Sequence, residues 1–275
     1  MTAPDQPTFL SAANAPYWRC LWQLLRAARR KGWHRMGDWI VYDMGLQSDR
    51  RALLERHFPW AEFRTLDFSA LPAHYPPARG TYAWKPEIIN RVAGERAAPL
   101  IWLDSATLPR GTPAPMLGHL REHGIYLLRG QAPLRRRCAP AVLDRLGVPS
   151  AARDMPERVA TIGGFDARRA DIRTLLQDWA TLAADPDMIS PADPGIPRHM
   201  HDQALLGALT LTRAAEGTLT LPEADIDISS GRPVTFLSTR NKVGPGAPLW
   251  IDPFARAWYW GDKTIDQWLH RRRAG

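Results

Sequence analysis

Short apolar runs of strand length, each followed by a segment of helical periodicity, recur over the first two thirds of the chain. This alternation restricts the fold more than any other feature. Thr8 to Asn14 is the first strand candidate; Trp18, Leu21, Trp22 and Leu25 follow at helical spacing, with Asn14 and Pro16 suited to the helix start. The basic run Arg26 to Lys31 ends at Gly32, a helix-stopping position. Trp39 to Asp43 is a second strand closed by Met44, Gly45 and Leu46. Ser48 to His57 reads as a short helix stopped by Pro59, and Phe63 to Phe68 as a third strand. After a proline-rich loop around Pro72 to Gly80, the spacing predicts a helix over Tyr82 to Val92. Pro99 to Leu103 is the most apolar strand, and it ends in Asp104. Gly124 to Leu128 and Val159 to Ile162 are further strands, the latter leading into Gly163-Gly164-Phe165 as a turn or bulge. Ile172, Leu175, Leu176 and Trp179 mark one amphipathic helix. Asp202, Leu205, Leu206 and Leu209 mark another, capped near His201 or Asp202.

Strands alternating with helices predict an α/β class with an open, mostly parallel sheet flanked by helices. No repeat or long linker interrupts the pattern. The expectation is a single domain over 1–275, with its core at about 8–215 and a less regular part at 216–275. At 275 residues, 45% of them hydrophobic, the chain is long enough to enclose one such core. No apolar run approaches the roughly 20 residues that span a bilayer. Met1 to Pro7 lacks the pattern of a secretory signal, and Cys20 and Cys138 are far apart, so a cytoplasmic location is expected. The net charge of +8 favours polyanions in general, diphosphate-bearing substrates among them, and by itself selects none. The 12 tryptophans fit either a core or a surface that stacks on sugars.

Ligands of open α/β sheets bind beyond the carboxyl ends of the strands, which singles out Asn14, Asp43 and Asp104. Asp104 follows the most apolar strand. Its carboxylate either meets a hard cation such as magnesium or manganese that is shared with substrate phosphates, or merely caps the turn into Ser105 and Thr107. Lys85 beside Pro86 is either a binding group or a solvated charge. Asp202 suits a helix start with no chemistry at all.

Four blocks in order carry a resemblance. These are Thr8 to Asn14 with Tyr17-Trp18 and then Val41 to Leu46; Tyr82-Ala83-Trp84-Lys85-Pro86; Ile101-Trp102-Leu103-Asp104-Ser105; and His201-Asp202-Gln203. Over about residues 8–215 the chain resembles nucleotide-diphospho-sugar glycosyltransferases of the GT-A fold, in a branch with a Tyr-x-Trp-Lys-Pro block, a Trp-Leu-Asp strand end and a late Asp-Gln pair. The resemblance implies a GT-A-like single domain that moves a sugar from a nucleoside-diphosphate donor to a hydroxyl of a glycan or glycolipid, a bacterial surface glycan being one such acceptor. It places the base between Ala12 or Asn14 and Asp43, the diphosphate at Asp104 and Ser105, and Lys85 near the donor pocket. Asp202, and Gln203 after it, would face the reacting sugar, and Gly163 and Gly164 would border the acceptor.

One departure concerns the cofactor. The family's usual Asp-x-Asp metal motif reads Asp104-Ser105-Ala106 here, so a manganese or magnesium ion held by Asp104 is in doubt. Arg240 and Lys242, in a late basic loop, offer another way to neutralise a diphosphate. The missing carboxylate also suits a non-catalytic nucleotide-sugar-fold binding protein. Dispersed basic residues without a reading motif argue against nucleic acid as a partner, and no glycine-rich phosphate loop supports a nucleotidyltransferase. Trp258 to Trp268 with Arg271, Arg272 and Arg273 has the composition of a segment that rests on an anionic membrane surface, which would make the protein membrane-associated.

Overall fold

The computed structural model describes residues 6–109, 111–224 and 236–238. Strand β1 (Thr8–Ala13) leads through a 3-10 turn into α1 (Trp18–Arg30). Gly32 follows this helix in the left-handed region (φ 77°), where glycine carries no steric penalty. β2 (Asp38–Asp43), α2 (Ser48–His57) and β3 (Ala61–Thr65) continue the alternation, then α3 (Trp84–Glu95), β4 (Pro99–Leu103), the short β5 (Thr107–Pro109), α4 (Ala114–His123) and β6 (Ile125–Pro133). The small helices α5 (Pro140–Arg145) and α6 (Ser150–Asp154) precede β7 (Pro156–Asp166). Then come α7 (Ala170–Ala184), α8 (Pro186–Ile189), α9 (His201–Ala215) and β8 (Phe236–Ser238).

Six strands form one sheet in the order β3-β2-β1-β4-β7-β6. The first four run parallel, and β7 pairs antiparallel with both β4 and β6. This is the expected α/β class with a mixed, mostly parallel sheet. Strand periodicity sends alternate side chains to opposite faces. Phe9, Val41, Ile101 and Leu103 pack with Leu21, Leu24, Leu54 and Met116 of α1, α2 and α4. Leu10, Ile40, Leu100 and Trp102 pack with Ile88, Val92, Leu175, Trp179 and Leu205 of α3, α7 and α9. Burial on both faces explains why β4 reads as an unbroken apolar run and β1 as a mostly apolar one. Trp18, Trp33, Trp39, Trp102 and Trp179 are fully buried, so these tryptophans fill the core. Cys20 and Cys138 are both buried. Among the described residues no helix is long and apolar enough to cross a membrane.

Several boundaries differ from the sequence expectation. The third strand is Ala61–Thr65 and stops short of Phe68, because the Asp67 carboxylate accepts the Ser69 N–H at 2.9 Å and turns the backbone. Helix α3 starts at Trp84, since Tyr82 sits at φ 58° and cannot be helical. Met200, which makes no side-chain cap, precedes α9, so neither His201 nor Asp202 is its N-cap residue. β8 pairs with β5, which adds regular structure beyond position 216. Gly163 and Gly164 form neither a turn nor a bulge. They lie inside β7, in register with Trp102 and Ile101 of β4. A Cβ on Gly164 would stand 2.3 Å from Leu120 Cδ1, and one on Gly163 would stand 2.9 Å from the Phe165 ring. Their absent side chains are filled by core neighbours. Gly164→Ala is therefore expected to cost about 1–3 kcal/mol through overpacking, read as a lower denaturant midpoint at unchanged slope.

Candidate functional site

A buried lysine forms the centre of the site. Lys85 enters on the first turn of α3, at the carboxyl end of the parallel strands, and is only 4% exposed. Its Nζ lies 3.1 Å from Asp104 Oδ1, 3.0 Å from Asp202 Oδ2 and 3.2 Å from the Ala160 carbonyl oxygen, to which it donates. Asp104 comes from the end of β4, Asp202 from the first turn of α9 and Ala160 from β7, so four elements meet at one ammonium group. Burial alone would push the Lys85 pKa down, but the charges of Asp104 and Asp202 outweigh it and hold it above the ordinary lysine range. Burial pushes the Asp202 carboxyl up. The Lys85 charge opposes that rise, and the Asp104 charge adds to it. Lys85 is thus not a solvated charge, and its Nζ has a partner for each of its three N–H groups.

Asp104 is oriented from below. Trp102, two residues earlier on the same strand face, donates its Nε1–H to Asp104 Oδ1 at 2.7 Å. The backbone of Asp104 is fixed by its N–H to the Thr161 carbonyl, and its own carbonyl accepts the Thr107 N–H. The turn into Ser105 and Thr107 is therefore made by the backbone, which leaves the carboxylate to Trp102 and Lys85. Buried Ser105 follows in that turn.

Gln203 faces β7. Its Nε2 donates to Glu157 Oε2 at 2.5 Å, and its Oε1 accepts the Ala160 N–H at 3.3 Å. The Ala160 carbonyl in turn receives Lys85, so Gln203 and the lysine bond to the same backbone residue. Burial raises the Glu157 carboxyl above its ordinary range, against the pull of Arg137 at 3.2 Å and of Gln203. Nothing in the sequence pattern marked Glu157, Arg137 or the Ala160 carbonyl. The Trp102 contact was legible in principle, because two residues along a strand share one face.

A second cluster lies where β1 and β2 end. Ala13 is in register with Asp43, and the Met44 and Ala15 N–H groups donate to the Ala13 and Gly45 carbonyls, so Ala12 to Asn14 and Asp43 to Leu46 are adjacent as expected. Asp43 is already occupied. Its Oδ1 accepts the Gly45 and Leu46 N–H groups at 2.8 and 2.7 Å, and its Oδ2 pairs with Arg51 Nη1 at 2.9 Å. Asn14 Oδ1 is buried with no hydrogen-bond partner among the described residues, which leaves an unspent acceptor there at the carboxyl end of β1. Gly163 and Gly164 are brought to neither cluster; they pack in the middle of the sheet. Arg240, Lys242 and the tryptophan- and arginine-rich segment of residues 258–273 lie outside the described residues.

The described residues around Asp104 are consistent with the doubt that Ala106 raises about a divalent cation. Asp104 Oδ1 is taken by Trp102 and Lys85, Ala106 supplies no ligand, and no group of three or more His, Cys, Asp or Glu side chains converges among them.

His199 lies beside this region and titrates with the fold. It is 6% exposed and its Nδ1 accepts the Ala139 N–H at 3.1 Å. Burial, reinforced by His201, lowers its pKa to about 4. The folded state thus refuses a proton that the unfolded chain takes up near pH 6.5. The stability is fully present above that pH and is lost as pH falls from about 6.5 to about 4. About 3 kcal/mol should disappear over this interval, and urea titrations of wild type and His199→Gln at each pH should show a shallower loss in the variant.

No family model matches the sequence, and no curated protein matches it. Solved structures do. The galactosyltransferase LgtC in complex with donor and acceptor sugar analogues is 16% identical over 74% of this chain and 70% of its own, with a TM-score of 0.48. An active-site mutant of LgtC is 14% identical over 74% and 69%, with a TM-score of 0.50. The bifunctional glycosyltransferase WbbM in its apo form is 11% identical over 76% of this chain, with a TM-score of 0.52. The chain has a GT-A-like glycosyltransferase fold. The likeness to the LgtC mutant and to WbbM carries that statement, and this chain spans 38% of the WbbM chain.

Proposed function

We propose that this protein transfers a sugar from a nucleoside-diphosphate donor to a hydroxyl of a glycan or glycolipid acceptor. The observation that carries the reading is the Lys85–Asp104–Asp202 ion cluster, built at the carboxyl end of the sheet where open α/β folds receive their ligands. Two carboxylates held by one buried cation cost desolvation energy that a hydrophobic core would avoid, and such clusters concentrate at functional sites. The unspent Asn14 acceptor supports a base between β1 and β2, with the Asp43 carboxylate shaping the loop while backbone groups meet the ligand.

In this reading Asp202 faces the anomeric carbon and stabilises the positive charge that develops there as the bond to the diphosphate lengthens. Lys85 opposes the protonation of Asp202 and fixes it, and Asp104 shares the lysine, so that two carboxylates and one ammonium leave the cluster with one net negative charge. Gln203 and Glu157 set the position of the Ala160 carbonyl and hence of the lysine. The diphosphate charge falls to Arg240 and Lys242. The acceptor is reached from the cytoplasmic side, with the C-terminal aromatic and arginine segment resting on the membrane.

Thermal-shift measurements with nucleoside diphosphates and nucleotide sugars test the reading, followed by assay of released nucleoside diphosphate in the presence of sugar acceptors. A donor at a hundredfold excess over its Kd should add about 2.7 kcal/mol of apparent stability. Binding without release or transfer would instead favour a non-catalytic nucleotide-sugar-binding protein, the reading that Ala106 supports. Absence of any shift would overturn both.

A further inference from the structure

Tyr82 is the one large hydrophobic side chain that stands exposed among the described residues, at 44%. It is also one of two described non-glycine residues with positive φ, at 58°; the other is His201, at 47°. A bulky residue in the left-handed region is strained, and an aromatic ring left in water loses the burial that would offset the strain. The two strained residues meet. Their rings are 6.1 Å apart, Tyr82 leads α3 toward Lys85, and His201 immediately precedes Asp202. The Tyr82 ring also lies 5.9 Å from Lys85 Nζ. His201 is fixed by Nδ1 at 3.0 Å from the Ile189 carbonyl oxygen; a carbonyl only accepts, so Nδ1 carries the proton and Nε2 of the neutral ring is an acceptor.

We infer that Tyr82 is the stacking platform for the glycosyl ring of the donor, with His201 Nε2 accepting one of its hydroxyls. This rests on the proposed function. A pyranose has an apolar C–H face and a rim of hydroxyl donors. An exposed aromatic ring beside an imidazole acceptor matches both features. Strain concentrated at two residues on either side of one ion pair is the pattern of a ligand clamp. Glycine at position 82 would relieve the left-handed strain and remove an exposed apolar ring, so stability alone would select against tyrosine there.

Calorimetric titration of the full chain separates the sugar contact from the nucleotide contact. The probes are UDP with UDP-glucose and UDP-N-acetylglucosamine, and GDP with GDP-mannose, each on wild type, Tyr82→Phe and Tyr82→Gly. One nucleotide sugar is expected to bind more tightly than its own nucleoside diphosphate, and Tyr82→Phe should keep that advantage. Tyr82→Gly should lose about tenfold of it, with the nucleoside diphosphate affinity unchanged and a Tm equal to wild type or higher. An undiminished advantage in Tyr82→Gly overturns the inference and leaves the proposed function standing, as does a wild type in which the sugar adds nothing. Failure of every nucleoside diphosphate to bind overturns the proposed function and the inference with it. A Tm drop in Tyr82→Gly with parallel loss of nucleoside diphosphate affinity would assign Tyr82 to the fold and also overturn the inference.

Discussion

Lys85→Met is expected to lower the unfolding free energy by about 3–5 kcal/mol, the cost of leaving a buried charge without its partner. Asp104 Oδ1 and Asp202 Oδ2 both rest on the one ammonium group, and methionine fills the volume while removing the charge. The loss should depend on pH in a defined direction. The carboxyl of Asp202 is raised by burial even with Lys85 present, and without the lysine it rises further. A raised carboxyl contributes stability below its folded pKa and loses it as pH climbs through that value, so the variant should be least impaired in mild acid and worst at neutral pH and above. In wild type the lysine's contribution is lost in the same direction but at the alkaline end. Its raised Lys85 pKa keeps the cluster's contribution intact through the ordinary lysine range, and the contribution is lost only as pH rises beyond it. Adding Asp202→Asn to Lys85→Met should recover part of the loss, because it removes one of the stranded anions. Chemical denaturation of wild type and of the single and double variants across pH 5 to 9 measures the variants' losses, and extending the wild-type series above pH 10 measures its own. A pH-independent loss below about 1 kcal/mol would mean that the ion cluster is solvated and the geometry wrong.

Asp202→Asn should reduce donor turnover by at least about a hundredfold, the scale on which a single electrostatic contact to a transition state acts. The protein should still fold. Lys85 keeps Asp104 and the Ala160 carbonyl, so the stability cost is about 1–3 kcal/mol. The variant should bind the donor with near wild-type affinity, since the effect falls on the charge that develops in the reaction. Kinetics at saturating donor, with calorimetry for binding, separate the two quantities. Near-normal turnover would remove Asp202 from the reaction and leave it as the lysine's counterion. Asp104→Asn should share the stability cost, with its amide oxygen still able to accept the Trp102 Nε1–H.

The residues that make this cluster were each visible in the chain, but their relationship was not. Lys85, Asp104 and Asp202 stood in three separate blocks, each with an ordinary reading: a solvated charge, a turn cap and a helix cap. The structure replaces all three readings with one another's company. Gln203 was expected at the reacting sugar, whereas its amide is spent between Glu157 and Ala160, a partner that no spacing rule connects to it. Gly163 and Gly164 read in the chain as a turn or bulge, and they are instead strand residues that leave the room Leu120 and Phe165 occupy. The left-handed backbone of Tyr82 and His201 left no mark on composition or periodicity.

Strand and helix order, the α/β class and the two-sided burial of β1 and β4 were determined by the sequence alone, because apolar periodicity is a local property that survives in one dimension. Which charge meets which was decided only by the tertiary structure. Ion pairs and packing contacts depend on distance through space, and a sheet of order β3-β2-β1-β4-β7-β6 brings residues from β4, β7, α3 and α9 to within about 3 Å of one ammonium group with no regularity along the chain to announce it.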